Sequence, residues 1–209
     1  MALRLDIHVH TSRYSPCSRI DPAKLIGRAV KAGLDGVVIT EHAHQWDDAE
    51  LKALVDASGF PGFVLLSGFE YTSDQGDLLV YGLAPSQVAQ FEPGWPPETA
   101  VDLAVRQGGV CIAAHPTRAA LGFDERIYGL PLAAIEVSSV NLQPHEQRLA
   151  MQVAEGARIP PSASSDAHVL SQVGRYATVF DEVIRSMQGL HDALKHGRFR
   201  IDSDTFSTG

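Results

Sequence analysis

Leu3 to Thr11, L-R-L-D-I-H-V-H-T, is the stretch on which the fold turns. Leu5, Ile7 and Val9 alternate with Asp6, His8 and His10, and side chains that alternate with a period of two belong to a β-strand. The three polar residues are therefore expected on one face and the three apolar residues on the other. In a parallel barrel the outward face packs on helices, so Asp6, His8 and His10 are expected to point into the interior near the C-terminal end of the strand. A single histidine there reads as a hydrogen-bonded core residue. The H-x-H pair beside a carboxylate favours a metal site instead.

Outward from this strand, short apolar runs recur at Gly36–Thr40, Phe63–Phe69, Leu78–Leu83, Gly109–Ala114 and Leu132–Val137, each bounded by glycine or proline. Amphipathic stretches lie between most of them. Pro22–Ala32 is the clearest helix, with Asp21 as N-cap, proline in the first turn and Gly33 as its stop. Further helices are expected at Asp48–Ala57, Glu98–Gln107, Pro144–Glu155 and Asp181–Lys195. This alternation predicts an α/β fold with a largely parallel sheet, closed as a barrel or open, in one domain over residues 1–201. Phe91–Pro97, F-E-P-G-W-P-P, reads as a surface loop, and residues 202–209 as a flexible polar tail.

Composition narrows the function. The chain has 209 residues, and 17 basic against 25 acidic side chains give a net charge of -8, which argues against an extended nucleic-acid partner. No apolar run approaches the roughly 20 residues of a membrane span, and the N-terminus lacks the apolar core of a secretory signal, so no membrane partner and a cytoplasmic location are expected. Two cysteines make no disulfide framework. Oligomeric state is not encoded in any feature of the sequence.

The histidines and acids collect at strand ends. His42 follows Val37–Ile39, Glu70 closes Phe63–Phe69, and His115 follows Val110–Ala114 with Pro116 biasing it towards extended geometry. Asp166 and His168 repeat the alternation of the first strand. Five separate strand ends thus deliver His, Asp or Glu to one rim.

The motifs D-I-H-V-H-T (Asp6–Thr11), I-T-E-H (Ile39–His42), G-F-E (Gly68–Glu70), A-H-P (Ala114–Pro116), I-E-V (Ile135–Val137) and S-D-A-H (Ser165–His168) together resemble the PHP (polymerase and histidinol phosphatase) family. The resemblance implies a distorted seven-stranded, TIM-like β/α barrel whose C-terminal rim holds two or three divalent metals for phosphoester hydrolysis. It implies His8, His10, His42, Glu70, His115, Asp166 and His168 as ligands, with Glu70 bridging.

Departures from the family pattern leave alternatives. Cys17 in S-P-C is either a thiolate ligand, favouring a softer metal such as zinc, or an inert thiol. Asp77 is an oxygen ligand or a strand cap. Asp6 and Glu41 are expected to support the ligands, Glu41 by orienting an imidazole. Glu136 reads as structural.

Seven ligands, at about three per open catalytic metal, suffice for two ions and for three if Cys17 and Asp77 join. Zinc, iron and manganese all suit the donors. The expected partner is a small phosphorylated substrate. Arg118 in H-P-T-R and Arg175 in V-G-R are candidate phosphate contacts, or else surface arginines; His44 contacts substrate or donates a proton, or else is an exposed loop residue. A nucleotidase or exonuclease and a non-catalytic metal-stabilised module are the alternatives. Substrate choice falls to loops, for which Phe91–Pro97 and Leu121–Leu130 are the candidates.

Overall fold

The computed structural model of the chain describes residues 2–202. Its strands are β1 (Leu3–Val9), β2 (Gly36–His42), β3 (Val64–Thr72), β4 (Asp77–Tyr81), β5 (Val110–Ala114), β6 (Ala134–Ser138), β7 (Pro161–Ala163), β8 (Thr178–Phe180) and β9 (Phe199–Ile201). Its helices are α1 (Pro22–Lys31), α2 (Asp48–Ser58), α3 (Pro85–Val88), α4 (Pro97–Arg106), α5 (Pro144–Ala157) and α6 (Met187–Lys195). Among the described residues no helix is long and apolar enough to cross a membrane.

One sheet runs β7-β6-β5-β4-β3-β2-β1-β8-β9. After β7 the chain continues alongside β1, where Asp166 N–H donates to His8 O (2.8 Å) and His10 N–H to Ala167 O (3.1 Å). These bonds bring the first seven strands round into a ring. Among the described residues the sheet has nine strands where seven are expected, because β8 and β9 extend it antiparallel from the first half of β1. Strands of three residues carry too little periodicity to be read from sequence.

The sheet is also less parallel than expected. β4 pairs antiparallel with both β3 and β5. The hairpin turns at Ser73–Gly76, where Ser73 N–H donates to Gly76 O (3.1 Å) and Gly76 takes φ +87°. Because β4 runs backwards, its first residue, Asp77, lies at the rim where the parallel strands end. Gly68 on β3 faces Tyr81 so closely that a Cβ would stand 2.5 Å from Val80 O, so the hairpin packs only with glycine there.

Inside the ring, Leu5, Ile7, Val38, Leu79, Tyr81, Ile112 and Ala134 form an apolar layer, plugged below by Leu190 and Leu194 of α6 and by Phe180 and Phe199. Truncating such a side chain to alanine costs about 2–5 kcal/mol. Outside, Val37, Ile39 and Leu65 pack on α1 and α2, and Leu78, Val80, Cys111, Ile135 and Val137 pack with α4 and α5. Cys111 is fully buried, and burial pushes its thiol up to about 12, so it is inert packing.

The expected shared face of Asp6, His8 and His10 is corrected here. A register shift between Asp6 and Val9 breaks the alternation. Leu5 and Ile7 enter the apolar interior together with His8 and His10 above them, whereas Asp6 turns the other way. Bulges of this kind re-aim side chains beside functional sites.

Two further boundaries differ. Helix α6 begins at Met187 rather than Asp181, since Ser186 caps it by accepting from Gly189 N–H (3.2 Å), while Asp181 and Glu182 pair with Arg200 and Arg198. Asp202 accepts from Arg4 and donates its N–H to Ala177 O (3.2 Å), so it belongs with the barrel; residues 203–209 of the expected tail lie outside the described residues.

Candidate metal centre

Going up the barrel, the interior changes from apolar to polar within one layer of side chains. β2 sends Val38, Thr40 and His42 inward, β3 sends Gly68 and Glu70, and β6 sends Ala134 and Glu136. Above these, His115, Asp166 and His168 enter from the loops that follow β5 and β7. A cleft of about 460 Å³ opens over them, lined in part by Cys17, His42, Asp77, Arg118 and Asn141.

Glu70 is central and 2% exposed. Its Oε1 faces His8 Nε2 (3.5 Å) and His115 Nε2 (3.2 Å), while Oε2 faces His10 Nε2 (3.2 Å) and His42 Nδ1 (3.0 Å). The carboxylate thus divides its oxygens between two sets of imidazoles. Asp166 Oδ1 lies 3.3 Å from His8 Nε2, 3.4 Å from His10 Nε2 and 3.6 Å from His168 Nδ1. Asp77 Oδ2 is 3.8 Å from His115 Nε2.

These contacts make four overlapping donor groups: His8, His10 and Glu70; His8, His115 and Asp166; Glu70, Asp77 and His115; and His10, His42 and His168. Two ligand atoms each about 2.1 Å from a metal stand roughly 3.0–3.4 Å apart at octahedral or tetrahedral angles. The closest N···O separations in the cluster match that spacing.

The supporting residues fix which nitrogen looks inward. Glu136 is fully buried; its Oε1 lies 3.0 Å from His8 Nδ1 and accepts from the Ser164 hydroxyl, and its Oε2 accepts from His115 N–H (2.8 Å). With Nδ1 of His8 committed as donor, Nε2 is left to coordinate. Ser15 Oγ lies 3.3 Å from His10 Nδ1 and plays the same part there. Asn141 Nδ2 donates to Asp166 O (3.0 Å) and Oδ2 (2.6 Å). His115 and Asp166 take φ of +30° and +50°, conformations that cost a non-glycine residue about 1–3 kcal/mol and are held here by those bonds.

Burial opposes charge on His8, yet Asp166, Glu136 and Glu70 hold its pKa well above the ordinary value. Burial likewise opposes charge on His10, where hydrogen bonds to Asp166 and Glu70 raise the pKa to about 9. Glu70 and Asp166 stay below the usual carboxylate range despite burial, because His8 and His10 face them. Asp77 is raised by burial and by Glu70 beside it. His115 is raised in the same way by Glu70 against burial, whereas burial and His10 lower His168, so the protonated form is favoured at His8, His10 and His115 and the cluster draws positive charge there, which divalent cations supply while displacing those protons. Donor chemistry, spacing and charge all fit a centre of more than one divalent ion.

The remaining sequence candidates divide. Asp77 stands within a donor group; Cys17 lines the mouth of the cleft, but its sulfur joins none of the four groups among the described residues. Glu41 touches no imidazole. Strand alternation puts it opposite His42, where it accepts from Thr11 N–H (3.1 Å), the Thr11 hydroxyl and Trp46 Nε1 (3.0 Å), anchoring the loop after His10. Asp6 accepts from Ser165 N–H (2.8 Å) and Gly174 N–H (3.0 Å), so it holds the segment bearing Asp166 and His168; burial raises its pKa to about 6.

Arg118 stands at the mouth of the cleft. Arg175 is exposed beyond the turn at Leu170–Gln172 and does not line the cleft, and His44 stacks on Tyr14 with ring centroids 3.7 Å apart and joins none of the four donor groups among the described residues. His191 is 9% exposed beside Gly82, whereas His145 and His196 are exposed. Ser15, Ser164 and Asn141 are supporting residues that single-residue reading misses, since a serine or asparagine near a motif has no distinctive spacing.

A family model described as PHP-associated matches residues 144–199. An uncharacterized protein of Methanocaldococcus jannaschii is 30% identical over 148 residues, which are 65% of this chain and 81% of that protein. A two-domain protein of Bacteroides vulgatus containing a predicted PHP-like metal-dependent phosphoesterase has a similar structure, with a TM-score of 0.76 and 20% identity over 97% of this chain; the chain spans 65% of that protein's length. The lesion-specific endonuclease PfuEndoQ of Pyrococcus furiosus is also similar, with a TM-score of 0.70 and 16% identity over 96% of this chain and 58% of its own. At these identities the structural likeness speaks for a shared fold.

Proposed function

Because the chain belongs to the PHP (polymerase and histidinol phosphatase) family, we propose that it is a metal-dependent phosphoesterase that hydrolyses a small phosphomonoester or nucleotide. The observation that carries this reading is Glu70, whose two oxygens face different imidazoles at ligand spacing. His8, His10, His42, Glu70, His115, Asp166 and His168 would hold two or three ions, with Asp77 as a further oxygen donor; zinc, iron and manganese suit them. When bound, such ions supply a water of lowered pKa and positive charge for phosphoryl oxygens.

The residues of the chain do the rest. Glu136 and Ser15 keep the inner nitrogens of His8 and His10 turned to the centre, and Asn141 fixes Asp166. Arg118, held at the mouth by its N–H bond to His115 O (3.0 Å), presents a guanidinium suited to bidentate contact with a phosphate. The net charge of -8 weighs towards small substrates over nucleic-acid ends.

Hydrolysis of p-nitrophenyl phosphate in preference to p-nitrophenyl acetate is the expected result. Arg118→Ala should raise KM for the phosphate ester about tenfold or more, consistent with losing a charge-assisted pair. Inactivity towards every phosphate ester in the presence of added Zn, Fe or Mn would overturn the reading in favour of a non-catalytic metal-stabilised module.

A further inference from the structure

Across the loop 116–123 from the metal cleft lies a second pocket of about 590 Å³, bounded by the segment 116–128 and one face of α5. Its volume is in the range of small-molecule sites, roughly 300–1,000 Å³. The loop is a fixed partition. Phe123 N–H donates to Pro116 O (2.8 Å), Ala119 N–H to Glu146 Oε1 (2.8 Å) and Thr117 Oγ to Glu146 O (2.7 Å). A Cβ on Gly122 would stand 2.4 Å from Pro116 O, and one on Gly76 of the β3–β4 hairpin 2.3 Å from the Phe123 ring, so the loop is packed from both sides. The two cavities are therefore separate compartments, and Arg118 lines both.

The second pocket is amphipathic. Leu149 and Val153 stand one turn apart on α5, and Tyr128 lies beside them against Gly156, where a Cβ would be 3.3 Å from its ring. Tyr128 is 53% and Leu149 48% exposed, so this apolar wall is open to a ligand. The rest of the lining is polar and carries two opposite charges without partners. Asp124 is taken by Arg126 (2.9 Å), but the side chains of Glu125 and Arg118 make no hydrogen bond or ion pair among the described residues, with each other or with any third group. Glu146 does not pair with Arg118 either, because its oxygens accept from Ala119 and Gln143 N–H. An unpaired cation and an unpaired anion on one cavity with an apolar wall complement a zwitterion with an apolar body.

We infer that this pocket is a binding site, distinct from the metal centre, for an apolar amino acid. The carboxylate pairs with Arg118, the ammonium with Glu125, and the side chain lies on Tyr128, Leu149 and Val153. Because the loop backbone is pinned, only the guanidinium is left to serve both cavities, and one guanidinium makes a bidentate pair with one anion at a time. The amino acid therefore competes with a phosphate in the cleft for Arg118 and weakens substrate binding while the metal ligands stay in place. The site itself does not depend on the phosphoesterase reading; the competition rests on it.

The test is a calorimetric titration of the metal-loaded full chain with L-phenylalanine, with 3-phenylpropionate, which lacks the ammonium, and with phenethylamine, which lacks the carboxylate. Glu125→Gln and Tyr128→Ala, both at exposed positions, are titrated alongside, with folding checked by thermal melting. Phenylalanine is expected to bind about tenfold or more tightly than either analogue, the worth of one charge-assisted pair. Glu125→Gln should remove its margin over 3-phenylpropionate and keep its margin over phenethylamine, and Tyr128→Ala should weaken all three severalfold. With p-nitrophenyl phosphate as substrate, phenylalanine should raise KM at constant kcat in the wild type, and raise it less in Glu125→Gln. No binding of phenylalanine at millimolar concentration overturns the site, and so does binding that is equal in all three proteins, which marks a carboxylate held by the metals. Binding that follows the variants with an unchanged KM overturns the competition for Arg118 and upholds the site. Absence of any phosphatase activity overturns the phosphoesterase reading and the competition together, and the titrations then decide the site alone.

Discussion

Glu136 sits one layer below the donors and fixes two of them at once, through His8 Nδ1 and through the backbone N–H of His115. Its own carboxylate faces the centre with neither oxygen free, which is why it supports and does not coordinate. Replacing it with glutamine keeps the shape but gives His8 Nδ1 an amide whose donor can compete for that contact. Glu136→Gln should therefore weaken metal affinity about 10–100-fold in a chelator competition, with all proposed ligands in place. Unchanged affinity would show that the orientation of His8 is set elsewhere. At this scale the sequence was informative where chemistry is distinctive: the histidines and acids at strand ends are brought together. It was silent on Ser15, Ser164 and Asn141, and misleading for Glu41, because a motif neighbour on a strand faces the opposite way. Asp6 was misplaced by a register shift that no spacing reveals.

Helix α5 is the element that ties the site to its surroundings. Its first turn receives the loop 116–119 through Glu146, whose carboxylate also accepts from Gln143 N–H (2.7 Å) as a cap. The Gln143 and Ala119 N–H groups hold that carboxyl below its ordinary value of 4.5. A carboxyl whose pKa is lower in the folded than in the unfolded chain contributes stability present above the unfolded value and lost as pH falls through the folded one. Glu146→Gln should consequently melt below the wild type at pH 7, with the gap narrowing as pH drops below 4.5. A gap that is constant with pH would mean that the carboxylate charge plays no part. Elements themselves were legible in proportion to their length. Helices α1, α2, α4 and α5 carry clear periodicity and end within two residues of expectation, whereas β7, β8 and β9, three residues each, depend on tertiary pairing for their existence. The reversal of β4 was hidden as well, since an apolar run does not state its direction, although Ser73 and Gly76 supply the tight turn it needs.

Across the whole molecule, a chain of net charge -8 concentrates imidazoles and carboxylates at one end of a barrel whose other end is closed by α6, β8 and β9. The apolar lower interior and the polar rim divide stability from chemistry, as parallel-strand barrels do. Every donor except those on β1, β2 and β3 comes from a loop or from the reversed β4, so the centre depends on closure of the ring between β1 and the segment after β7. The most direct test of the central claim is the metal content of gently purified protein by inductively coupled plasma mass spectrometry, with phosphatase activity followed through chelation and metal return. The account predicts two or three equivalents of Zn, Fe or Mn per chain, with activity lost on chelation and restored by metal. Less than one equivalent, with no activity after metals are added, would contradict it.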